Sequence, residues 1–132
     1  MEKILMEATS STPRVVLDPE NKVFEISGES RPKNVPEFYQ PILQWLERFG
    51  EDLKANPDSN SSFEFNFRFE YFNSLSAKFI LDLCKILSRM HSEGIPIQVK
   101  WYYEEDDEDM HEVGQEMSRI SKIPFEYVEV MP

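Results

Sequence analysis

The sequence predicts an α/β domain with a mixed β-sheet and about three helices packed mainly on one face of that sheet. Two long segments alternate apolar and polar residues, which is the period of half-buried strands. Segments of helical period lie between the strand segments, and this order favours parallel strand pairing with right-handed crossovers. The polar residues of these two strands would all lie on one face of the sheet, which indicates that no large apolar layer packs against that face.

The first quarter of the chain predicts short strands and a hairpin. Strands are expected at residues 4–6 and 14–17, with a Ser/Thr-rich segment between them. The turn signal Asp-Pro-Glu-Asn at 18–21 predicts that residues 23–26 return beside the second strand. Residues 28–36 are polar and contain two prolines, so they are expected to form a loop.

Residues 35–55 predict the first helix, because apolar residues recur along them at helical spacing. Pro41 lies inside this segment and lacks a backbone donor. The helix therefore either begins near Pro41 or is kinked there, and the sequence leaves both alternatives open. Residues 56–62 are polar and predict a flexible connection.

The middle of the chain predicts a strand, a hinge and a second helix. Aromatic residues occupy every second position at 63–71, which indicates the inner face of a strand rather than a platform for stacking bases. Residues 73–76 form the hinge, and helical periodicity follows to about residue 93. Gly94 and Pro96 end this helix.

The remaining segments complete the predicted order β-β-β-α-β-α-β-α-β. Residues 97–103 alternate as a half-buried strand does, and the acidic run at 104–109 leads into a third, shorter helix that ends before Pro124. Residues 125–131 predict a final edge strand. No repeat or boundary is visible, so residues 1–132 are expected to form a single domain.

Composition restricts the partners and the location of the protein. A hydrophobic content of 40% is ample for a core, and a net charge of −11 makes nucleic acids and anionic membranes poor partners. No apolar run approaches the ~20 residues of a membrane span, and no signal pattern is present. Cys84 is the single cysteine, on the apolar side of the second helix, which fits core packing and a reducing compartment. We therefore expect a cytoplasmic protein without membrane insertion.

The hinge at residues 73–76 is the strongest candidate functional feature. A serine there suits a helix N-cap, where its hydroxyl meets free N–H groups and the positive end of the helix dipole. The same position tolerates a phosphate, which would change the surface charge strongly. Ser74, or failing that Ser76, is therefore either a cap worth ~1 kcal/mol or a phosphoacceptor. Lys78 lies one turn further, where it either pairs with the phosphate or simply faces solvent.

The acidic run at 104–109 is a second candidate, because clustered carboxylates suit Ca²⁺ or Mg²⁺. The run lacks the glycine and the ligand spacing of an EF-hand loop, and acidic residues also suit a helix start. His91, His111 and Cys84 lack zinc-ligand spacing, and residues 111–115 lack the second histidine of a zincin helix. We expect no cofactor, no metal and no catalytic site.

Six segments distributed over the chain carry a family resemblance. They are Thr-Ser-Ser-Thr-Pro at 9–13, Gly-Glu-Ser at 28–30, Pro-Lys-Asn at 32–34, the helix around Trp45, Tyr-Phe-Asn-Ser-Leu-Ser-Ala-Lys at 71–78 and Val-Lys-Trp-Tyr-Tyr at 99–103. Together they resemble the SiaC family of bacterial regulatory phosphoproteins over nearly the whole chain. The resemblance implies a STAS-like fold, that of anti-sigma-factor antagonists, which agrees with the predicted order of elements.

The resemblance also implies a partner-switching mechanism. A cognate serine/threonine kinase would phosphorylate a residue at a helix start, and a PP2C-type phosphatase would remove the phosphate. The unphosphorylated protein would bind and activate a diguanylate cyclase of the GGDEF type, raising cyclic di-GMP and promoting biofilm or aggregation. The family's acceptor follows the Asn of an Asn-Ser/Thr-Ser-Ser pattern, which carries over to Ser74, with Ser76 as second choice. Leu75 replaces a small hydroxyl residue of the pattern, and this departure bears on recognition by the kinase.

The same resemblance places the partner-binding surface around the hinge, at Asn73, Leu75, Ser76 and Lys78. A phosphate there would present an uncompensated anion and a steric block to a cyclase. The kinase must bind the same unmodified surface, so kinase and cyclase would compete for overlapping binding sites. Two other functions stay open at this point. One is an anti-sigma-factor antagonist acting on a sigma-factor pathway, and the other is a metal-dependent enzyme built on the acidic run.

Overall fold

Three strands are followed by helices and strands in alternation along residues 1–57 and 62–132, which are the residues that this computed structural model describes. In chain order they are β1 (Ile4–Met6), β2 (Arg14–Asp18), β3 (Val23–Ser30), α1 (Val35–Ala55), β4 (Phe63–Phe72), α2 (Ser74–Ser92), β5 (Ile97–Glu104), α3 (Glu108–Ser121) and β6 (Phe125–Val130). The predicted α/β class and order of elements are confirmed. The connection predicted at 56–62 lies mostly outside the described residues.

The six strands form one mixed sheet in the spatial order β1-β2-β3-β4-β5-β6. Strands β1, β2 and β3 pair antiparallel, and the β2–β3 pair is the predicted hairpin. Strands β3 to β6 pair parallel, because each helix carries the chain back to the same end of the sheet. Strand β6 lies at one edge, as predicted.

Strand β3 is longer than the sequence indicates, so the loop predicted at 28–36 is wrong for its first three residues. Gly28 has a φ of +104°, and the register with β4 shifts between Gly28 and Glu29. Glycine adopts this backbone conformation without the steric cost that a Cβ would bring. The strand therefore passes the irregularity and brings Ser30 beside Phe72 at the end of β4.

Helix α1 has the predicted bounds and runs through Pro41. It begins at Val35, after Asn34, whose side-chain oxygen accepts a hydrogen bond from the N–H of Glu37 at 3.1 Å. An asparagine N-cap followed by Pro36 is a strong start signal, since proline suits the first turn. The alternative in which the helix begins at Pro41 is therefore excluded.

The three helices cover one face of the sheet, where the buried apolar side chains form a single cluster. Strand β4 contributes every second residue to it, namely Phe63, Phe65, Phe67 and Phe69. On the opposite face, Lys100 Nζ lies 3.0 Å from Glu64 Oε1 and 3.5 Å from Glu126 Oε2. The prediction that one face lacks an apolar layer is confirmed.

Candidate functional site at the start of helix α2

Helix α2 begins directly after strand β4, at the predicted hinge. Asn73 is its N-cap: the side-chain oxygen accepts a hydrogen bond from the N–H of Ser76 at 2.8 Å, and the backbone is extended. Ser74 is the first helical residue. The expectation that a serine caps this helix is therefore wrong, because an asparagine one position earlier already satisfies the free amide.

The residues after the cap differ in their access to solvent. Ser74 is exposed, Leu75 is 49% exposed and Ser76 is 0% exposed. Within the described part of the chain, the Ser74 hydroxyl has no hydrogen-bond partner. Ser74 is thus an accessible hydroxyl beside the positive end of a helix dipole, whereas Ser76 belongs to the interior.

The Ser76 hydroxyl takes part in a buried cluster of three hydroxyl groups. It donates to the backbone carbonyl of Ser30 at 3.1 Å and accepts from the Ser30 hydroxyl at 3.0 Å. The Ser30 hydroxyl also lies 2.5 Å from the Tyr39 hydroxyl. Burial raises the pKa of Tyr39 to about 12, because the phenolate would lose its hydration, and hydrogen bonding with Ser30 and Ser76 opposes that shift.

The charges around the hinge leave room for an added anion. The first turn of α2 contains no acidic residue. Lys78 Nζ lies 2.9 Å from Asp82 Oδ2 and 4.5 Å from the centre of the Phe79 ring, so this ammonium group contacts its own helix. A pairing between Lys78 and a phosphate stays a prediction. The exposed Lys78–Asp82 ion pair does not prevent it, because exposed ion pairs are weak.

An apolar groove runs beside Ser74, between α2 and α3. It is lined by apolar residues of both helices and by three polar ones: Ala77, Leu81, Val113, Met117 and Ile120, with Ser74, Lys78 and Glu116. Tyr71 and Leu75, each 49% exposed, add apolar surface near the hinge. Sequence periodicity predicts neither the groove nor the contribution of α3, because the packing of two helices creates both.

The acidic run at 104–109 forms the end of β5 and the start of α3. Asp107 is the N-cap of α3 and accepts a hydrogen bond from the N–H of Met110 at 3.0 Å, while Glu108 and Asp109 lie in the first turn. In the described ranges of the chain, no three His, Cys, Asp or Glu side chains are grouped to hold a metal ion. The carboxylates here stabilise a helix dipole.

The other candidate ligands lie apart from the hinge. The Cys84 thiol is fully buried in the core, and burial raises its pKa, as the predicted packing role requires. The ring of His111 stacks on Tyr103 with centroids 4.2 Å apart. No helix in the described ranges is long and apolar enough to cross a membrane.

A comparison with models of protein families identifies one family. The sequence model of the SiaC family regulatory phosphoproteins matches residues 6–130. An uncharacterized protein of Pseudomonas aeruginosa strain UCBPP-PA14 is 27% identical over 125 residues, which are 95% of this chain and 94% of that protein. The crystal structure of apo-SiaC from Pseudomonas aeruginosa superposes with a TM-score of 0.79 at 26% identity and 98% coverage of both chains.

A second solved structure is similar over almost its full length. It is the crystal structure of the diguanylate cyclase SiaD in complex with its activator SiaC, from Pseudomonas aeruginosa. One of its chains superposes with a TM-score of 0.84 at 26% identity, covering 96% of this chain and 99% of that one. The fold described above is therefore shared with proteins solved alone and in a complex.

Proposed function

This chain belongs to the SiaC family of regulatory phosphoproteins, and on that premise we propose that it is a non-enzymatic partner switch controlled by phosphorylation of Ser74. The unmodified protein binds and activates a diguanylate cyclase of the GGDEF type. A cognate serine/threonine kinase adds the phosphate and a PP2C-type phosphatase removes it. The output is the level of cyclic di-GMP, and with it biofilm formation or aggregation, in the bacterial cytoplasm.

The observation that carries the proposal is an exposed Ser74 hydroxyl at a helix start that is already capped and has no acidic residue in its first turn. A phosphate adds about −1.5 to −2 charges at pH 7. The helix dipole and the free N–H groups stabilise such a charge, and no neighbouring carboxylate of the first turn repels it. The domain therefore stays folded in both states while its surface changes.

The same geometry supports Ser74 over Ser76 as the acceptor. Ser76 is 0% exposed, and its hydroxyl both donates and accepts hydrogen bonds inside the protein. A phosphate on Ser76 would place a dianion in the core, at a cost of several kcal/mol. A kinase would also have to unfold the helix start before reaching it. We therefore assign Ser76 to the support of the hinge.

The partner surface consists of the groove between α2 and α3 and the exposed residues of the hinge. Leu75 and Tyr71 provide apolar contact area, which partially exposed surfaces of this kind bury on binding. Asn73 and Lys78 provide polar contacts at its margin. The similarity to SiaC, which activates the diguanylate cyclase SiaD, supports a cyclase as the partner.

A phosphate on Ser74 acts against docking through its position. Ser74 is part of the wall of the groove, so a phosphate there meets any partner seated on Leu81 and Val113. A docked partner would have to desolvate that anion, which is unfavourable unless the partner itself supplies an opposite charge. Phosphorylation therefore releases the cyclase by steric and electrostatic exclusion rather than by refolding the regulator.

The test is cyclase binding by variants at Ser74. Ser74→Asp is expected to weaken binding to the GGDEF protein of the native host at least about tenfold, or ~1.4 kcal/mol, while Ser74→Ala keeps full binding and activation. Ser92→Asp adds the same charge at the other, exposed end of α2 and is expected to leave binding unchanged. Unchanged affinity in Ser74→Asp contradicts the mechanism.

The identity of the partner is tested separately, by pull-down from the native host with Ser74→Ala as bait. Recovery of a GGDEF-type cyclase supports the proposal. Recovery of an anti-sigma factor instead moves the output to a sigma-factor pathway, while the switch at Ser74 is retained. The second outcome would change the identity of the proposed partner. It would not bear on Ser74 as the acceptor, which is tested by mapping the phosphate.

A further inference from the structure

We propose that the hydroxyl groups of Ser30, Tyr39 and Ser76 form a buried hydroxyl relay that holds the hinge in the conformation in which Ser74 is presented. These three are positioning residues. The inference rests on the proposed function only where it assumes that a kinase phosphorylates Ser74. The positioning itself is a property of the free chain and is testable without any partner.

Three elements of the fold meet in the relay. Ser30 ends strand β3, Tyr39 lies in the second turn of α1 and Ser76 lies in the first turn of α2. All three are 0% exposed. The relay therefore connects the phosphoacceptor helix to the sheet and to another helix by hydrogen bonds that water does not compete for.

The direction of each hydrogen bond follows from the number of protons. Ser76 donates its hydroxyl proton to the Ser30 carbonyl at 3.1 Å, and Ser30 donates its hydroxyl proton to the Ser76 oxygen at 3.0 Å. A serine hydroxyl has a single proton, so Tyr39 must be the donor across the 2.5 Å contact to the Ser30 oxygen. Every hydroxyl proton of the relay then has an acceptor.

The relay is joined directly to both sides of the exposed residues Ser74 and Leu75. Before them, the N–H of Asn73 donates to the Ser30 carbonyl at 3.0 Å. After them, Ser76 donates to the same carbonyl, and its N–H is held by the Asn73 side chain at 2.8 Å. The two exposed residues are thus fastened at both ends to one buried carbonyl, which fixes their path while leaving their side chains free.

Loss of a relay hydroxyl has a different consequence at each position. Ser76→Ala removes a donor and also the acceptor of the Ser30 proton, so a buried donor is left without a partner. Tyr39→Phe removes only a donor and keeps the ring, which stacks on Phe79 with centroids 5.9 Å apart. We therefore expect the hinge to loosen in both variants, and more in Ser76→Ala.

Amide hydrogen exchange on the full-length protein tests the positioning. The N–H groups of Asn73, Ser76 and Ala77 all donate to hinge acceptors, so they report on its opening. In Ser76→Ala they are expected to exchange at least about tenfold faster than in the wild type, with a smaller increase in Tyr39→Phe. Tyr39→Phe also keeps the test decisive should Ser76→Ala fail to fold.

Ser121→Ala is the matched control, because Ser121 is another buried serine of a helix. It is 5% exposed and donates to the Met117 carbonyl at 2.7 Å, within its own helix α3. It is expected to lower stability without accelerating the three hinge amides. Two results overturn the inference. One is an unchanged rate of hinge amide exchange in both relay variants, and the other is an equal acceleration of that exchange in Ser121→Ala.

Phosphorylation kinetics with the cognate kinase of the native host add a readout that general destabilisation does not move. Ser76→Ala is expected to lower kcat for phosphorylation of Ser74 about tenfold with KM nearly unchanged, because a misplaced acceptor is attacked more slowly once bound. A wild-type kcat overturns the role of the relay in presenting Ser74. A wild-type protein that is never phosphorylated at Ser74 overturns the proposed function, and hydrogen exchange then decides the relay alone.

Discussion

Helices α2 and α3 begin with the same N-cap geometry, but they differ in the number of acidic residues in their first turns. Asn73 and Asp107 each cap their helix by accepting the N–H of the third helical residue, at 2.8 Å from Ser76 and 3.0 Å from Met110. The first turn of α3 contains two acidic residues, and that of α2 contains none and exposes Ser74 instead. The start of α2 thus has no permanent negative charge, and this leaves it suited to a reversible one.

The two helix starts also differ in what holds them to the body of the protein. The α3 start is fixed by packing on Trp101, whose ring N–H donates to the Met110 carbonyl at 2.9 Å and whose ring touches Gly114. The α2 start is fixed by the hydroxyl relay through Ser30 and Tyr39. Packing tolerates changes of pH, whereas the relay includes a phenol that can ionise.

The largest predicted difference between the two starts is therefore their response to high pH. Burial raises the pKa of Tyr39 to about 12, from 10.0 when it is exposed. The stability that comes from keeping this phenol neutral is fully present below pH ~10 and is lost as the pH rises through ~12, an effect of about 2–3 kcal/mol. Urea unfolding at several pH values measures it.

Tyr39→Phe is the control for this pH dependence. The variant lacks the ionisable group, so its free energy of unfolding should fall less steeply between pH ~10 and ~12 than that of the wild type. The difference in slope isolates the contribution of Tyr39 from that of every other group in the protein. Equal slopes in the two proteins would contradict the burial of a neutral phenol in α1, beside the start of α2.

Removal of either N-cap is expected to have an effect of intermediate size on stability. Asn73→Ala and Asp107→Ala should each lower the free energy of unfolding by about 1 kcal/mol, because each leaves one helix amide without its acceptor. The loss in Asp107→Ala also contains a charge–dipole part, so it should shrink in about 1 M salt, whereas the loss in Asn73→Ala should not. Salt dependence of equal size in both variants would remove the distinction between the two starts.

The smallest predicted effects come from single charges on the two first turns. At low ionic strength, Glu108→Gln should lower the free energy of unfolding and Ser74→Asp should raise it, each by about 0.3–1 kcal/mol. Ser92→Asp, at the negative end of α2, should lower it. Chemical denaturation of the three variants decides the signs, and a destabilised Ser74→Asp would show that the α2 start does not accommodate an anion.

Local patterns were sufficient to predict most of the fold. The aromatic alternation of β4 and the bounds of α1 follow from periodicity alone, because each segment buries one continuous face. The extension of β3 past Gly28 could not be predicted in this way. It depends on a shifted register with β4, which is a property of the paired strands rather than of residues 28–30 themselves.

The candidate site was predictable only in part. Ser74 followed from the family resemblance, and its location at a strand-to-helix hinge followed from the change of period. The sequence could not separate Asn73 from Ser74 and Ser76 as the cap, since asparagine and serine both cap helices well. Nor could it reveal the relay, because Ser30 and Ser76 are 46 residues apart and meet only when β3 and α2 pack together.

The proposed switch depends on phosphorylation of Ser74, and site mapping of the phosphate decides whether Ser74 is the acceptor. The protein is incubated with ATP and the cognate kinase of its native host, and its intact mass and phosphopeptides are measured. We expect one phosphate per chain, located on Ser74. It should be absent in Ser74→Ala and retained in Ser92→Ala, which alters an exposed serine of the same helix. A singly phosphorylated Ser74→Ala, or a phosphate mapped to Ser76, would contradict it.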